Sequence, residues 1–242
     1  MPWRPWEELL ALVELAAPSA CAGCGESATR WCPACDDLLT RTAPRPWAPT
    51  PCPPAFPRTW SGPDYAGPVR TAVIAYKEQG RVELTPVLGG VLRAVLAEAL
   101  AGSAPHTAAV GRAGPVALVP APSARASTRA RGRRVVADLA AAAARPDLVV
   151  DALGLARPVQ DQAGLSAQAR ADNLRGAVRV RPDAVRGLAG VPCVLVDDVV
   201  TTGATLQECA RALRAAGTGP VVAATVAATV RRPPFPRAWR AD

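Results

Sequence analysis

Two groups of residues in this chain of 242 have the types and spacing to do chemistry. The first is VLVDDVVTTGAT, Val194 to Thr205, where an apolar run delivers two adjacent carboxylates, Asp197 and Asp198, into a loop of threonines around one glycine. An ionised Asp only accepts hydrogen bonds, through two oxygens, and so suits the vicinal hydroxyls of a sugar and a hydrated magnesium ion. Thr201, Thr202, Gly203, Ala204 and Thr205 add three hydroxyls and a run of backbone N–H groups, and Gly203 is free to take positive φ and admit an anion closely. Behind them LQECARALRAAG places Leu206, Cys209, Ala210 and Leu213 on one helical face with Gly217 as the cap, so the loop precedes a helix N-terminus, a ready phosphate site. Acids that bind hydroxyls beside a phosphate cradle describe a site for a ribose 5-phosphate. Thr205 and Glu208 also have capping-box spacing, a reading that only starts the helix and leaves the acid pair unexplained.

The second group is Cys21-Ala-Gly-Cys24 and Cys32-Pro-Ala-Cys35, two CxxC pairs seven residues apart. Each pair can turn two thiolates towards one ion, and together they supply the four soft ligands of a tetrahedral zinc site. With all four positions filled by thiolates no coordination site stays open, so the zinc would be structural. Disulfides are disfavoured in a chain without a secretion signal, and a redox CxxC would normally follow a strand at a helix start. Cys193 and Cys209 read as buried, unreactive thiols.

The elements that must carry these groups follow from periodicity. Short β-branched runs at 116–119, 148–150, 177–180, 191–200 and 221–230 alternate with helical patterns at 66–78, 82–100, 133–144, 166–173 and 205–216. That alternation predicts an α/β fold, a mostly parallel, doubly wound sheet with helices on both faces. The buried strand 191–196 would end at the acid pair, at the carboxyl edge where open α/β sheets bind ligands. Residues 1–41 are expected to form an N-terminal helix and the zinc-binding module, 42–63 a Pro-rich linker, 64–232 the main domain and 233–242 a tail.

Composition excludes less. The formal charge is +8, nearly all of it arginine, because Lys77 is the only lysine, and the richness in Ala, Gly, Pro and Val points to a coding bias. The basicity fits a solvated surface or an anion-binding face and does not choose between them. No run approaches the 18 or so uninterrupted apolar residues of a membrane span. ELLALVELAAPSAC is broken by Glu7, Glu8 and Glu14 and reads as an amphipathic helix, so no membrane insertion is expected and the protein is expected in the cytoplasm. His106, the single histidine, reads as solvated and incidental.

VLVDDVVTTGAT resembles the phosphoribosyl pyrophosphate (PRPP) signature of type I phosphoribosyltransferases. With the four-cysteine module the chain resembles the ComF family of competence-associated proteins from Cys21 to about Val230. AYKEQGRVEL, with Tyr76, Lys77 and Gly80, is similar to that family's Tyr-Lys-x-x-Gly segment, and VPAPSARASTRARG to its Pro-x-Pro loop followed by Arg-x-Arg-Gly. Arg157, Gln162, Leu165, Ser166, Arg170, Asn173 and Ala177 fit a further family pattern. Gly132-Arg133-Arg134-Val135 departs from it, where the family often has Gly-Phe-Asn-Gln. The resemblance implies a type I phosphoribosyltransferase-like fold and PRPP bound with Mg2+. It assigns Asp197 and Asp198 the catalytic place, Thr201 to Thr205 the 5-phosphate, Ser123 and Ala124 the pyrophosphate, and Lys77, Arg129 and Arg131 supporting contacts. A solvated helix-end role for Lys77 stands beside that assignment. The readings it leaves open are a PRPP-binding protein linked to competence and DNA uptake, a salvage phosphoribosyltransferase, and a non-catalytic protein that binds single-stranded DNA or competence proteins. A homodimer is a further expectation.

Overall fold

The computed structural model describes residues 19–123, 129, 131–157 and 167–229; the helix expected ahead of Cys21 and the tail 233–242 lie outside them. Its centre is a five-stranded sheet in the order β1-β2-β7-β6-β3, formed by Arg45–Trp47, Arg58–Ser61, Val221–Ala228, Cys193–Val200 and Ala117–Pro120. All neighbours pair in parallel except β1, which runs antiparallel on β2 at the edge. Strands β6 and β7 read as continuous apolar runs because both of their faces are covered.

One face carries α2 (Gly67–Glu78), α3 (Thr85–Ala101), α4 (Ala104–Gly111) and α5 (Val135–Ala143). There Val194, Val196, Val222 and Ala224 of the sheet share a core with Leu88, Leu92, Val95 and Leu139. The other face carries α8 (Ala204–Ala215), where Leu206, Cys209 and Leu213 meet Cys193, Leu195 and Ala223. Each such leucine, removed from water, contributes roughly 1.5–3 kcal/mol. A two-stranded antiparallel ribbon, β4 (Leu153–Leu155) with β5 (Val178–Val180), packs on α8, and α6 (Ala167–Leu174) and α7 (Pro182–Leu188) flank it. By length and composition Val82–Ala101 is apolar enough to cross a membrane, but here it is a core helix whose Leu84, Leu88, Leu92 and Val95 are fully buried.

The structure departs from the sequence expectations in several places. The Pro-rich stretch 42–63 is not a free linker; it supplies β1 and β2, because Trp47 and Trp60 bury their rings against the two cores. The expected strand 148–150 is a turn over Pro146–Leu148 with a single bridge from Val149 to Leu118, since Pro146 and Asp147 favour the turn. AVRV joins the ribbon rather than the main sheet. His106 is fully buried, with Nδ1 2.8 Å from Ser103 Oγ and Nε2 3.1 Å from the Cys193 carbonyl oxygen. It ties α4 to the start of β6, and burial lowers its pKa, so it is neutral.

The cysteine module is joined to this body. Its helix α1 (Pro33–Thr40) starts at the second knuckle, Leu39 and Ala22 enter the α3-side core, and Arg81 Nη2 donates to the carbonyls of Ala20 and Arg30.

Candidate functional site

The four cysteine sulfurs all lie within 4.8 Å of one another, with Cys24 Sγ 3.6 Å from Cys32 Sγ. Sulfurs at tetrahedral positions about 2.3 Å from zinc are separated by about 3.8 Å, so the cluster fits that ion. The N–H groups of Gly23 and Cys32 each donate to Cys21 Sγ at 3.4 Å. Burial raises the pKa of Cys21, but these and the other backbone N–H groups outweigh it and bring the thiol down to about 6. A side chain at Gly23 would stand 2.6 Å from Cys35 Sγ, so that knuckle closes only around a glycine.

The acid pair lies at the carboxyl end of the sheet. The expectation that the strand ends before the acids is corrected: β6 runs on to Val200, because β7 pairs with it as far as Val200↔Ala228. The shorter neighbour β3 stops at Pro120↔Val196, so β6 projects past it and the carboxylates stand beyond that strand's end. Alternation divides the strand: Cys193 and Leu195 enter the α8-side core and Val194 and Val196 the opposite one. The acids part as well, since Asp198 meets Lys77 of α2 whereas the Asp197 charge acts on Cys209 of α8. Asp198 is buried, and its Oδ2 lies 2.7 Å from Lys77 Nζ at the end of α2. Burial pulls the Lys77 pKa down, but the Asp198 carboxylate outweighs this and the net direction is up. Burial and the adjacent Asp198 push Asp197 up to about 8, against the opposing pull of Lys77. Each acid also folds back on the chain: Asp197 Oδ1 accepts from the Asp198 N–H at 2.9 Å and Asp198 Oδ1 from the Val199 N–H at 2.8 Å.

The loop Thr201–Gly203 then turns into α8. Gly203 is the N-cap residue at φ +78, a conformation that L side chains rarely adopt. A Cβ there would also meet the Phe56 ring at 2.7 Å and Trp47 at 3.4 Å. The Trp47 and Phe56 rings stand 6.1 Å apart, and Trp47 Nε1 donates to the Thr229 carbonyl at 3.3 Å. The Pro-rich segment is held along α8 by Gln207 Nε2 donating to Pro54 O and Arg214 Nη1 to Ala55 O. Thr201, Thr202, Ala204 and Thr205 are half-buried along this turn, and Thr202 Oγ1 accepts weakly from the Ala204 N–H at 3.4 Å.

The capping-box alternative is not what Glu208 does. Its buried carboxylate accepts from the Val178 N–H at 3.1 Å and pairs with Arg211 at 2.7 Å, tying α8 to β5. Burial raises its pKa, but the Arg211 pair and the N–H donor outweigh that and the net direction is down. Spacing singled out Glu208 only as a helix cap, not as the tie to β5, and it gave no sign of the aromatic pair against Gly203.

Of the other expected residues, Ser123 lies in the exposed loop after β3, at the same edge of the sheet as Thr201, and Ala124 falls outside the described residues. Arg129 is exposed. Arg131 makes a two-pronged pair with Glu78, Nε to Oε2 at 3.2 Å and Nη2 to Oε1 at 2.9 Å. Arg133 pairs with Asp138 at 2.9 Å, bonds the Tyr76 hydroxyl and stacks 4.2 Å from the Tyr76 ring centroid, while Arg134 pairs with Asp151. In the long downstream pattern, Arg157 Nη2 donates to the carbonyls of Asn173 and Arg175, closing the end of α6. Gln162, Leu165 and Ser166 lie outside the described residues, and the Arg170 side chain is likewise not described.

With this geometry in place, the match of residues 152–240 to the family model for the phosphoribosyl transferase domain has a structural meaning. It runs from β4 through β7 and so takes in the acid pair, its loop and α8. No curated protein matches the chain. The mixed α/β body with its mostly parallel sheet, the domain match and the four-cysteine cluster define a type I phosphoribosyltransferase-like fold with an N-terminal module able to hold zinc.

Proposed function

We propose that this chain is a PRPP-binding protein of ComF type, with Asp197 and Asp198 taking the ribose hydroxyls and the Thr201–Thr205 loop taking the 5-phosphate. The observation that carries the reading is the joint placement of the acid pair and a positive-φ glycine loop at a helix N-terminus, inside the segment that matches the phosphoribosyl transferase domain. Magnesium would arrive with PRPP, and Asp197 and Asp198 are the oxygen donors suited to it. In a transfer reaction positive charge builds on the ribose ring and negative charge on the leaving pyrophosphate, so oriented hydroxyl contacts and anion donors matter more than a strong base. The one histidine is buried at the far end of β6 and takes no part. Zinc would be held by Cys21, Cys24, Cys32 and Cys35 as a structural ion. A cytoplasmic setting is part of the same proposal, because the four gathered thiols must stay reduced to hold the ion.

PRPP with magnesium should raise the melting temperature of the wild type and leave Asp197→Asn/Asp198→Asn unshifted; absence of any wild-type shift sinks the reading. Release of pyrophosphate with a panel of nitrogen bases would then mark a salvage enzyme, and its absence would favour a binding protein. A DNA-binding role on the arginines has less support, because Arg131, Arg133 and Arg134 are each engaged by an acid.

A further inference from the structure

One rung of the main sheet gathers three polar side chains. Ser61 of β2 pairs with Thr225 of β7, and Thr225 pairs with Asp197 of β6, so the three stand side by side across three strands. The rung before it is Trp60, Ala224 and Val196, all in the core on the α3 side. Alternation turns the next rung to the α8 side, so both hydroxyls and the Asp197 carboxylate leave the sheet on one face. Thr225 is the sole hydroxyl in a strand otherwise made of valine and alanine.

Ser61 and Thr225 are fully buried, and neither hydroxyl oxygen has a hydrogen-bond partner among the described residues. A buried hydroxyl without a partner costs free energy that alanine or valine at the same place would not. Two such hydroxyls on one rung, in register with a site acid, point to a use beyond packing. Asp197 is half-buried at the end of that rung, and its Oδ1 is held by the Asp198 N–H at 2.9 Å, a tie within its own strand. An ionised carboxylate only accepts, whereas a hydroxyl both donates and accepts, so the rung can be satisfied in one direction: Ser61 to Thr225, and Thr225 to Asp197. Neighbouring strands stand about 4.8 Å apart, a gap that a threonine hydroxyl and a carboxylate can close by side-chain rotation. Hydrogen bonds in such a line polarise one another, so the inner hydroxyl strengthens the outer one as a donor.

We propose that Thr225 is a positioning residue for Asp197, with Ser61 behind it: as Asp197 takes the ribose hydroxyls, the two buried hydroxyls donate in line towards its carboxylate and hold it at one angle. This rests on the PRPP reading and adds to it residues that touch no ligand atom. The test is calorimetric titration of PRPP with magnesium into the full chain, with melting temperatures alongside, for wild type, Thr225→Val, Thr225→Ser and Thr225→Val/Ser61→Ala. Thr225→Val keeps the shape and removes an unpaired hydroxyl, so it should melt at or above wild type yet bind PRPP on the order of tenfold more weakly. Thr225→Ser restores the hydroxyl and loses a buried methyl, so it should bind as wild type does while melting lower. The double variant should bind no more weakly than Thr225→Val alone, because Ser61 acts only through Thr225, and a further loss would overturn the line of donors. Wild-type affinity in Thr225→Val overturns the proposal, and so does a Thr225→Ser protein that binds as weakly as the valine variant. A valine variant that melts well below wild type would make the hydroxyl structural and overturn it as well. Wild type that binds no PRPP removes the ribose reading and this role together; binding by wild type with equal binding by the valine variant removes this role alone.

Discussion

The cysteine cluster and the acid-and-threonine segment both set backbone N–H groups against the chain's own side-chain acceptors, yet they are assembled in opposite ways. The cluster draws everything from Cys21 to Cys35, with Gly23 and Cys32 N–H groups on one sulfur and a glycine allowing the close turn. The acid site draws on α2, the segment after β3, the end of β6 and the start of α8, far apart in the chain. A site made from one short stretch can be closed on all sides by its own residues. One made from four elements stays open where they meet, and its charges must be held apart by pairings such as Lys77 with Asp198. Closure suits a structural ion, and openness suits a substrate.

The sharpest way to break this contrast is to remove a cysteine. Cys32→Ser should abolish zinc retention, measured as metal per chain, from near one to near none. Structural zinc contributes about 10 kcal/mol or more in small modules, comparable to the whole stability of a domain. Because Leu39 and Ala22 of the module are part of the main core, the melting temperature of the entire chain should fall, not just the order of the module. A variant that loses metal with an unchanged melting temperature would show the module to be separable.

A smaller effect is expected at the loop. Gly203→Ala forces an L side chain into φ +78 and against the Phe56 ring, at a cost of about 1–3 kcal/mol. Adding Phe56→Ala should remove the clash but not the backbone strain, so the double variant should recover only part of the binding of PRPP lost by Gly203→Ala. Full recovery would mean that the glycine serves packing alone.

The smallest is a pH effect at Glu208. Its folded pKa is lowered, so its contribution to stability is present above the ordinary carboxylate range and is lost as pH falls through the folded value. Glu208→Gln should flatten the acid limb of a stability-versus-pH curve by about 1 kcal/mol and leave the cysteine cluster's metal content unchanged. An unaltered acid limb would place the α8–β5 tie elsewhere.

Much of this was legible from spacing because much of it is local. The two CxxC pairs sit where the sulfurs converge, and the runs at 193–200 and 221–228 form the central strands because apolar residues on both faces demand cover on both sides. Helix α8 follows the glycine loop within one residue of its expected start for the same reason. Apart from the turn that Pro146 and Asp147 impose on the expected strand 148–150, the misses are non-local. His106 looked solvated because its polar neighbours in sequence say nothing of the β6 carbonyl that receives it. The stretch 42–63 looked like a linker because proline hides strand periodicity, and only the edge of β7 made Arg58–Ser61 a strand.

For this protein the amino-acid order alone determined which residues carry chemistry, since the acid pair, the hydroxylic loop and the four thiols are each contiguous or nearly so. Tertiary structure decided how the charges are shared: that Asp198 meets Lys77 while the Asp197 charge acts on Cys209 of α8, and that Arg131 is held by Glu78. The physical reason is range. Periodicity and turn chemistry act over a few residues, whereas the field at a carboxylate is set by whatever charge the packing of distant helices brings within a few ångströms of it.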